Sequence, residues 1–240
     1  MLAVAEDAGG AATTAPWIRP SSLEEQYPQP ILDLMGWDAA AWAGAAPPEY
    51  PCLIDERHEL ARVYGMVNVP SAVWIDEAGR IVRPPEPAGA SEAFKAVDLE
   101  SFSMPPEAIE AGSQVRNRYF DAVRDWVRRG PDSPAALPAE EVLRRMGGGD
   151  AGAGDRPARA AAHFRLGGML YRRGQPEAAQ LHFAEAVRLR PENWAYQRQG
   201  RQLAHPDAVG ELDAGPEFWM SLEARGAGTF YPPLDLPAND

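Results

Sequence analysis

Cys52 is the only thiol in this 240-residue chain, so it is the first candidate for nucleophilic or redox chemistry. A reactive thiol needs a cationic neighbour or a helix N-terminus that stabilises the thiolate. The nearby acids Asp55 and Glu56 disfavour that charge, although Arg57 and His58 follow them and leave a reactive thiol open. We therefore favour a small, half-buried apolar role for Cys52 over a catalytic one. A single cysteine also excludes an internal disulfide and a Cys-rich metal site.

The other residue types show no catalytic or metal-binding pattern. The sequence contains no Gly-x-Ser-x-Gly, P-loop or Gly-x-Gly-x-x-Gly motif. Metal-ligand spacing is missing among the four histidines, which are His58, His163, His182 and His205. His163 and His182 could face each other from two neighbouring helices, but such a pair is more often structural or exposed. Asp55 and Asp76 resemble strand-end and turn residues, so we expect no acid–base pair, no metal and no cofactor.

The composition narrows the class of partner. The net charge of −12 argues against nucleic acid and against an anionic membrane surface, because both attract a basic patch. The sequence has no apolar run of the length that a transmembrane helix requires. The N-terminus lacks a basic segment and meets acidic residues at once, so we expect no secretory signal and a cytoplasmic location.

The stretch from Arg57 to Arg83 organises the predicted fold. Helical spacing of apolar residues predicts a short helix over Glu56–Tyr64, which Gly65 can end. The β-branched and aromatic residues of Val67–Ile75 predict a buried strand, and Pro70 stands just ahead of it, where its missing N–H costs least. A tight turn at 76–79 then leads to a returning strand at 80–82, which completes a hairpin.

The run from Tyr64 to Val82 reads Tyr-Gly-x-x-x-Val-Pro-x-x-x-x-Ile-Asp-x-x-Gly-Arg-Ile-Val. It resembles the thioredoxin-like redoxins, especially the TlpA/ResA and AhpC/TSA group. The resemblance implies a cis bond between Val69 and Pro70, and a substrate or peptide strand that pairs with the backbone at these two residues. It also implies a strand at Leu2–Ala5, and it matches Tyr50–Asp55 to the segment that precedes the helix.

The same resemblance implies that part of the domain is missing. These redoxins act through Cys-x-x-Cys, or a peroxidatic cysteine, at a helix N-terminus, where the dipole lowers the pKa of the thiol. By resemblance, the strand that carries this motif would lie upstream of Met1. Its absence leaves two strands with unpaired edges, which invite pairing with another chain and a possible dimer. The chain is either a truncated redoxin or a degenerate module that completes its sheet with a partner, and we favour truncation.

Between and after these elements the pattern is less regular. Residues 27–49 look like an insertion whose Trp37 and Trp42 could anchor a partner, although we favour a loop that packs its own aromatic residues. The segment from Arg83 to Pro87 is expected to end the sheet, and Ser91–Phe94 could begin a closing helix. Apolar spacing then predicts helices over the ranges Pro105–Arg129 and Ala139–Met146, followed by a Gly-rich linker at 147–154.

Ala158–Pro191 matches one tetratricopeptide repeat, a helix-turn-helix unit of 34 residues. Small residues at Gly167 and Ala179 allow two helices to approach closely, and Phe183 fills the space between them. The matching positions are Leu166, Gly167, Leu170, Gly174, Ala179, Phe183, Ala186 and Pro191. One repeat cannot bury both of its faces, so we favour packing on the rest of the chain over peptide binding, with a capping helix at 192–203.

The expected fold class is therefore α/β followed by all-α. An incomplete thioredoxin-like domain at 1–104 precedes a helical connector and linker at 105–150. The tetratricopeptide-like repeat and its capping helix follow at 151–204, and an aromatic, Pro-rich tail at 205–240 is expected to lie over a hydrophobic seam. We favour a protein-interaction module that binds a protein or peptide partner. The alternative is a thiol–disulfide oxidoreductase whose catalytic motif lies upstream, with Cys52 as its only local thiol.

Overall fold

The computed structural model describes residues 1–18, 50–98, 100–101, 103–148, 154–204, 216–225 and 230–237. The predicted insertion at 27–49, with its two tryptophans, and most of the Gly-rich linker lie outside these ranges. The chain divides into two compact units. The first contains Met1–Leu60 and Ala93–Ser113, and the second contains Ala61–Glu92 and Gln114–Asp240. The described part combines short β-strands with a larger helical portion. This agrees with the expectation of an α/β region and a helical region.

The first unit contains a parallel pair of short strands. Strand β1 (Ala3–Ala5) pairs with β2 (Cys52–Ile54), with Ala3 opposite Cys52. Helix α1 (Ala11–Ile18) follows β1 in the chain. The carboxylate of Asp7 accepts hydrogen bonds from the backbone N–H of Gly9 at 2.7 Å and from the hydroxyl of Thr13 at 3.0 Å. These bonds fix the turn that leads from β1 into α1.

Helix α2 (Glu59–Tyr64) starts three residues later than the sequence predicts. The carboxylate of Asp55 accepts hydrogen bonds from the backbone N–H groups of Glu59 at 2.9 Å and Leu60 at 2.7 Å. It therefore satisfies donors that the first helical turn leaves without partners. His58 precedes the helix with a φ of 53°, which is not helical. Gly65 follows the helix with a φ of 76°, which confirms its predicted role as the stop.

The second unit contains the predicted hairpin. Strand β3 (Ser71–Ile75) pairs antiparallel with β4 (Ile81–Pro87). The turn between them is held by Asp76, whose carboxylate accepts hydrogen bonds from the backbone of Ala78 at 3.0 Å and Arg80 at 2.8 Å. This confirms the prediction that Asp76 is a turn residue. The peptide bond that precedes Pro70 is cis, as the resemblance implies.

The expectation that the sheet ends after Val82 is wrong, because β4 continues to Pro87. Trp74 is opposite Arg83 and Ala72 is opposite Glu86, so the single residue between Ala72 and Trp74 faces both Pro84 and Pro85. This two-against-one arrangement is a β-bulge. Prolines lack a backbone donor and are tolerated at bulges, so the strand can pass through them and resume pairing.

Aromatic residues form the core between the hairpin and the long helix α3 (Pro106–Arg129). The indole N–H of Trp74 donates to the hydroxyl of Tyr119 at 2.8 Å, and the ring of Trp126 lies 5.2 Å from that of Trp74. Ala135 and Leu236 complete this buried cluster. Helix α4 (Ala139–Gly148) packs against β4. Where a closing helix was expected from Ser91, the structure has a short 3₁₀ helix at Glu92–Ala96.

Helices α5 (Arg156–Arg172) and α6 (Pro176–Leu189) form the predicted helical hairpin. Gly174 makes the turn with a φ of 71°. A Cβ atom at Gly167 would lie 2.7 Å from the ring of Phe183, which confirms that the glycine allows the close approach of the two helices. Helix α7 (Trp194–Ala204) packs on α6, and α8 (Pro216–Arg225) falls within the segment expected to be tail.

Candidate functional site

Cys52 is the first residue of strand β2, so it does not stand at a helix N-terminus. The side chain is half-buried, and its Sγ lies 3.6 Å from the carbonyl oxygen of Tyr50. Neither feature stabilises a thiolate, because a carbonyl oxygen accepts hydrogen bonds and carries a partial negative charge. Within the part of the chain that the structure describes, these two contacts therefore do not activate the Cys52 thiol.

Val69 and Pro70, the residues expected to bind a peptide, lie in the second unit in a loop that precedes β3. We call residues 66–70 the cis-proline loop. Its start is fixed by helix α7, since the backbone N–H groups of Trp194 and Ala195 both donate to the carbonyl of Val67, at 2.7 and 3.2 Å. These N–H groups belong to the first turn of α7, where backbone donors have no partners within the helix.

Asn68 organises the middle of the loop. Its side chain is buried, with 8% of its surface exposed, and its Oδ1 accepts a hydrogen bond from the backbone N–H of Val69 at 2.9 Å. The hydroxyl of Ser71 donates to the carbonyl of Asn68 at 2.6 Å. The other side of the amide, Nδ2, donates to the carbonyl of Phe230 at 2.9 Å. Asn68 thus joins the loop to a segment 162 residues further along the chain.

Residues 230–237, which we call the C-terminal strap, have no regular secondary structure, and the first two of them contact the cis-proline loop. The hydroxyl of Tyr231 donates to the carbonyl of Val69 at 2.7 Å. Burial raises the pKa of this phenol to about 12, which keeps it protonated near neutral pH. The carbonyl of Val69, which the resemblance assigns to a bound peptide, therefore has a donor from the chain itself.

Both backbone groups of Phe230 are bound by side chains of the second unit. Its N–H donates to the carboxylate of Glu92 at 3.0 Å, and its carbonyl accepts from Asn68. The ring of Phe230 packs edge-on against Trp194, with 4.7 Å between the ring centroids. This combination of paired main-chain groups and one aromatic contact is a way of holding an extended peptide.

The far end of the C-terminal strap is held by arginines. A guanidinium N–H of Arg83 donates to the carbonyl of Asp235 at 2.7 Å. Arg118 donates to the carbonyls of Leu236 and Pro237. Since the side chain of Leu236 is buried in the aromatic core, the strap is fixed at both ends and along its backbone.

Sequence reasoning proposed Val69 and Pro70 as binding residues and did not single out Asn68, Glu92 or Tyr231. The expected seam beneath the aromatic tail is seen in part, because Phe230 packs on Trp194. The polar side chains that bind main-chain atoms have no motif of their own. Only the adjacency of an asparagine to the Val-Pro pair could have drawn attention to one of them.

A second buried polar pair lies in the first unit. The Nδ1 of His58 is paired with the carboxylate of Glu6, and 1% and 8% of these side chains are exposed. Sequence reasoning considered His58 only as a neighbour of Cys52 and as a possible metal ligand, and it did not single out Glu6. Among the described residues, His, Cys, Asp and Glu form no group of three or more that could hold a metal ion. The pair joins the residue that follows β1 to the residue that precedes α2.

Within the described ranges, no helix has both the length and the apolar character needed to cross a membrane. No protein-family model matches the chain, and neither curated proteins nor solved structures gave a match.

Proposed function

We propose that this chain is a protein-interaction module, built on a redoxin-like region without a thiol–disulfide pair, and that the cis-proline loop is its recognition element. The observation that carries the proposal is the pairing of the Phe230 backbone with Asn68 and Glu92, together with the bond from Tyr231 to Val69. Hydrogen bonds to main-chain atoms can hold an extended segment of any sequence, while a pocket for an aromatic side chain adds selectivity.

The C-terminal strap then acts as a resident ligand. It presents two aromatic residues, three prolines and a buried Leu236 in the order Phe-Tyr-Pro-Pro-Leu-Asp-Leu-Pro. A partner of this kind, aromatic and proline-rich, would compete with the strap for the loop. Because a tethered segment acts at an effective concentration of roughly millimolar, the strap would restrict binding to partners that are tight or locally abundant.

Fluorescence polarisation with a labelled peptide of the strap sequence tests the proposal. The protein is the full chain carrying Phe230→Ala and Tyr231→Phe, which removes the contact with Trp194 and the bond to Val69. We expect this variant to bind the peptide at least about tenfold more tightly than the unmodified chain, because the competing strap is weakened.

Asn68→Ala, added to this variant, should weaken binding by about 5- to 30-fold, because the buried carbonyl of the peptide loses its donor. Asn117→Ala is the matched control, since Asn117 is an exposed asparagine on α3, and it should change nothing. A scrambled peptide controls for nonspecific binding. If the strap peptide binds no better than the scrambled one, or if Asn68→Ala has no effect, the proposal is wrong.

The second candidate function is a thiol–disulfide oxidoreductase of the redoxin type whose catalytic motif lies upstream. The cis bond before Pro70 and the run from Tyr64 to Val82 favour it, because the resemblance links both to that class. Reduction of insulin disulfides and of peroxide should be measured with the chain and with Cys52→Ser. Activity that disappears in Cys52→Ser would place thiol chemistry at Cys52 and defeat the interaction-only proposal.

We also propose that the protein is cytoplasmic and that it forms a dimer through unpaired strand edges. Strands β1 and β2 form a two-stranded sheet, as do β3 and β4. Sheets of this size are marginal alone and gain from an added strand. Size-exclusion chromatography with light scattering over a range of concentrations tests the dimer. The tetratricopeptide-like helices serve in this proposal as a packing element.

A further inference from the structure

The helical hairpin brings together two histidines, one on each helix. The Nδ1 atoms of His163 on α5 and His182 on α6 are 2.9 Å apart, and their ring centroids are 5.1 Å apart. Both side chains are only partly buried, so an ion from solvent can reach them. The sequence-based hypothesis that these two side chains could face each other is therefore confirmed. The interaction proposed for the cis-proline loop makes no use of this pair.

We propose that His163 and His182 form a binding site for a divalent transition-metal ion that prefers tetragonal geometry, such as Cu²⁺ or Ni²⁺. Imidazole nitrogen is a ligand that these ions favour. Metal–nitrogen bonds are about 2.0 to 2.1 Å long, so two nitrogens separated by 2.9 Å subtend an angle of roughly 90° at the metal. That is the angle between adjacent ligands in tetragonal coordination, whereas tetrahedral zinc needs nitrogens that are about 3.3 Å apart.

The hairpin fixes the two helix positions from which the imidazoles project. Phe183, next to His182, is 2% exposed and packs against Gly167 and against the ring of Phe164, which neighbours His163. A ligand pair on rigid, packed helices loses little freedom when it binds. In the metal-free state one Nδ1 donates a hydrogen bond to the other. Metal binding moves that proton to Nε2 of the same ring, so both Nδ1 lone pairs become available.

Glu185, three residues after His182, is engaged by an arginine of its own helix. Glu185 on α6 is bound by Arg188 at 2.7 Å through both carboxylate oxygens. The pKa of Glu185 is lowered chiefly by that hydrogen bond. Glu185 is therefore the counter-ion of Arg188. Since the described residues offer no third His, Cys, Asp or Glu ligand, water would fill the remaining positions.

Isothermal titration of the full chain with Cu²⁺, in the presence of glycine as a competing chelator, tests the site. We expect one ion per chain, and electron paramagnetic resonance should show hyperfine coupling to two imidazole nitrogens. His163→Asn and His182→Asn should each weaken binding at least tenfold, because loss of an outer-shell partner alone costs about 10- to 100-fold. His205→Asn is the matched control and should bind as the unmodified chain does.

Thermal melting provides an independent readout. An ion that joins α5 to α6 should raise the melting temperature of the unmodified chain, and it should leave that of the His163→Asn/His182→Asn variant unchanged. Circular dichroism checks that the variants keep their helices. The proposal fails if the double variant takes up Cu²⁺ with the same affinity and spectrum as the unmodified chain, or if no ion binds in the presence of glycine.

Discussion

Arg83 offers the sharpest test of how the second unit is held together. Its side chain is 1% exposed. The guanidinium donates to both carboxylate oxygens of Glu86 at 2.8 to 3.0 Å, to the carbonyl of Ala135 at 2.8 Å and to that of Asp235 at 2.7 Å. It also lies over the ring of Trp74, with 5.5 Å to the centroid. One side chain therefore joins β4, the connection before α4 and the C-terminal strap.

Arg83→Met keeps an unbranched side chain of similar length but removes every one of these donors. The carboxylate of Glu86, only 13% exposed, then loses its cation, and two carbonyls lose a partner. Removal of one partner from a buried ion pair costs roughly 3 to 5 kcal/mol. Since the whole free energy of unfolding of a domain is about 5 to 15 kcal/mol, this change should place the second unit near its stability limit.

Urea denaturation, followed by the fluorescence of the buried tryptophans, measures the free energy of unfolding. The matched control is Arg80→Met, because Arg80 forms an ion pair with Asp76 at 2.9 Å while 80% of its side chain is exposed. An exposed pair contributes about 0 to 1 kcal/mol, so the control should change stability by no more than that. Arg83→Met/Glu86→Gln should recover part of the loss, because it removes the buried carboxylate charge.

Two results would refute this reasoning. The first is a cost for Arg83→Met that equals the cost for Arg80→Met, since burial would then make no difference to the ion pair. The second is a double variant less stable than the single one, because relief of an unpaired charge cannot destabilise the protein. Limited proteolysis adds a local readout, in which Arg83→Met should expose the strap to cleavage before the rest of the chain unfolds.

Three further predictions concern packing and pH. Gly167→Ala should cost about 1 to 3 kcal/mol in thermal melting because its Cβ meets Phe183 at 2.7 Å, whereas Gly147→Ala, with open space around it, should be nearly neutral. Burial raises the pKa of Tyr119 and of Tyr231 to about 12. The contribution of each protonated phenol to the free energy of unfolding is therefore complete below pH 10. It should fall by roughly 2 kcal/mol for each tyrosine between about pH 10 and 12, which unfolding measured as a function of pH would show. Stability that stays constant up to pH 12 would contradict this. Tyr231→Phe should speed hydrogen exchange in the cis-proline loop without changing that of the helical hairpin.

Local sequence patterns predicted much of the fold because short-range chemistry fixes those features. Gly65 ends a helix and Asp76 makes a turn for reasons contained within a few residues. Gly167 is small because Phe183, on the next helix of the same hairpin, needs the space. Each of these predictions relates residues less than about 20 positions apart, so the sequence pattern and the contact have the same range.

The length of β4 shows where local reasoning fails. The prolines at 84 and 85 have no backbone donor, so a local interpretation ends the strand at Val82. The structure places both prolines at a bulge and returns to regular pairing at Glu86. The ion pair between Glu86 and Arg83 spans the same bulge. The strand continues because the buried ion pair across the bulge compensates for the backbone hydrogen bonds that the prolines cannot make. A propensity scale for single residues does not include such an interaction.

The partner of the cis-proline loop was beyond prediction for a different reason. Asn68 and Val69 contact Phe230 and Tyr231 across 162 residues, and the groups involved are mostly backbone carbonyls. Every residue has a carbonyl, so the sequence gives no sign of which ones are used. What can be recognised is the side chain that orients them. Asn68 binds the Val69 N–H with one end of its amide and the strap with the other, so Asn68, rather than the side chain of Val69, should decide what the loop can hold.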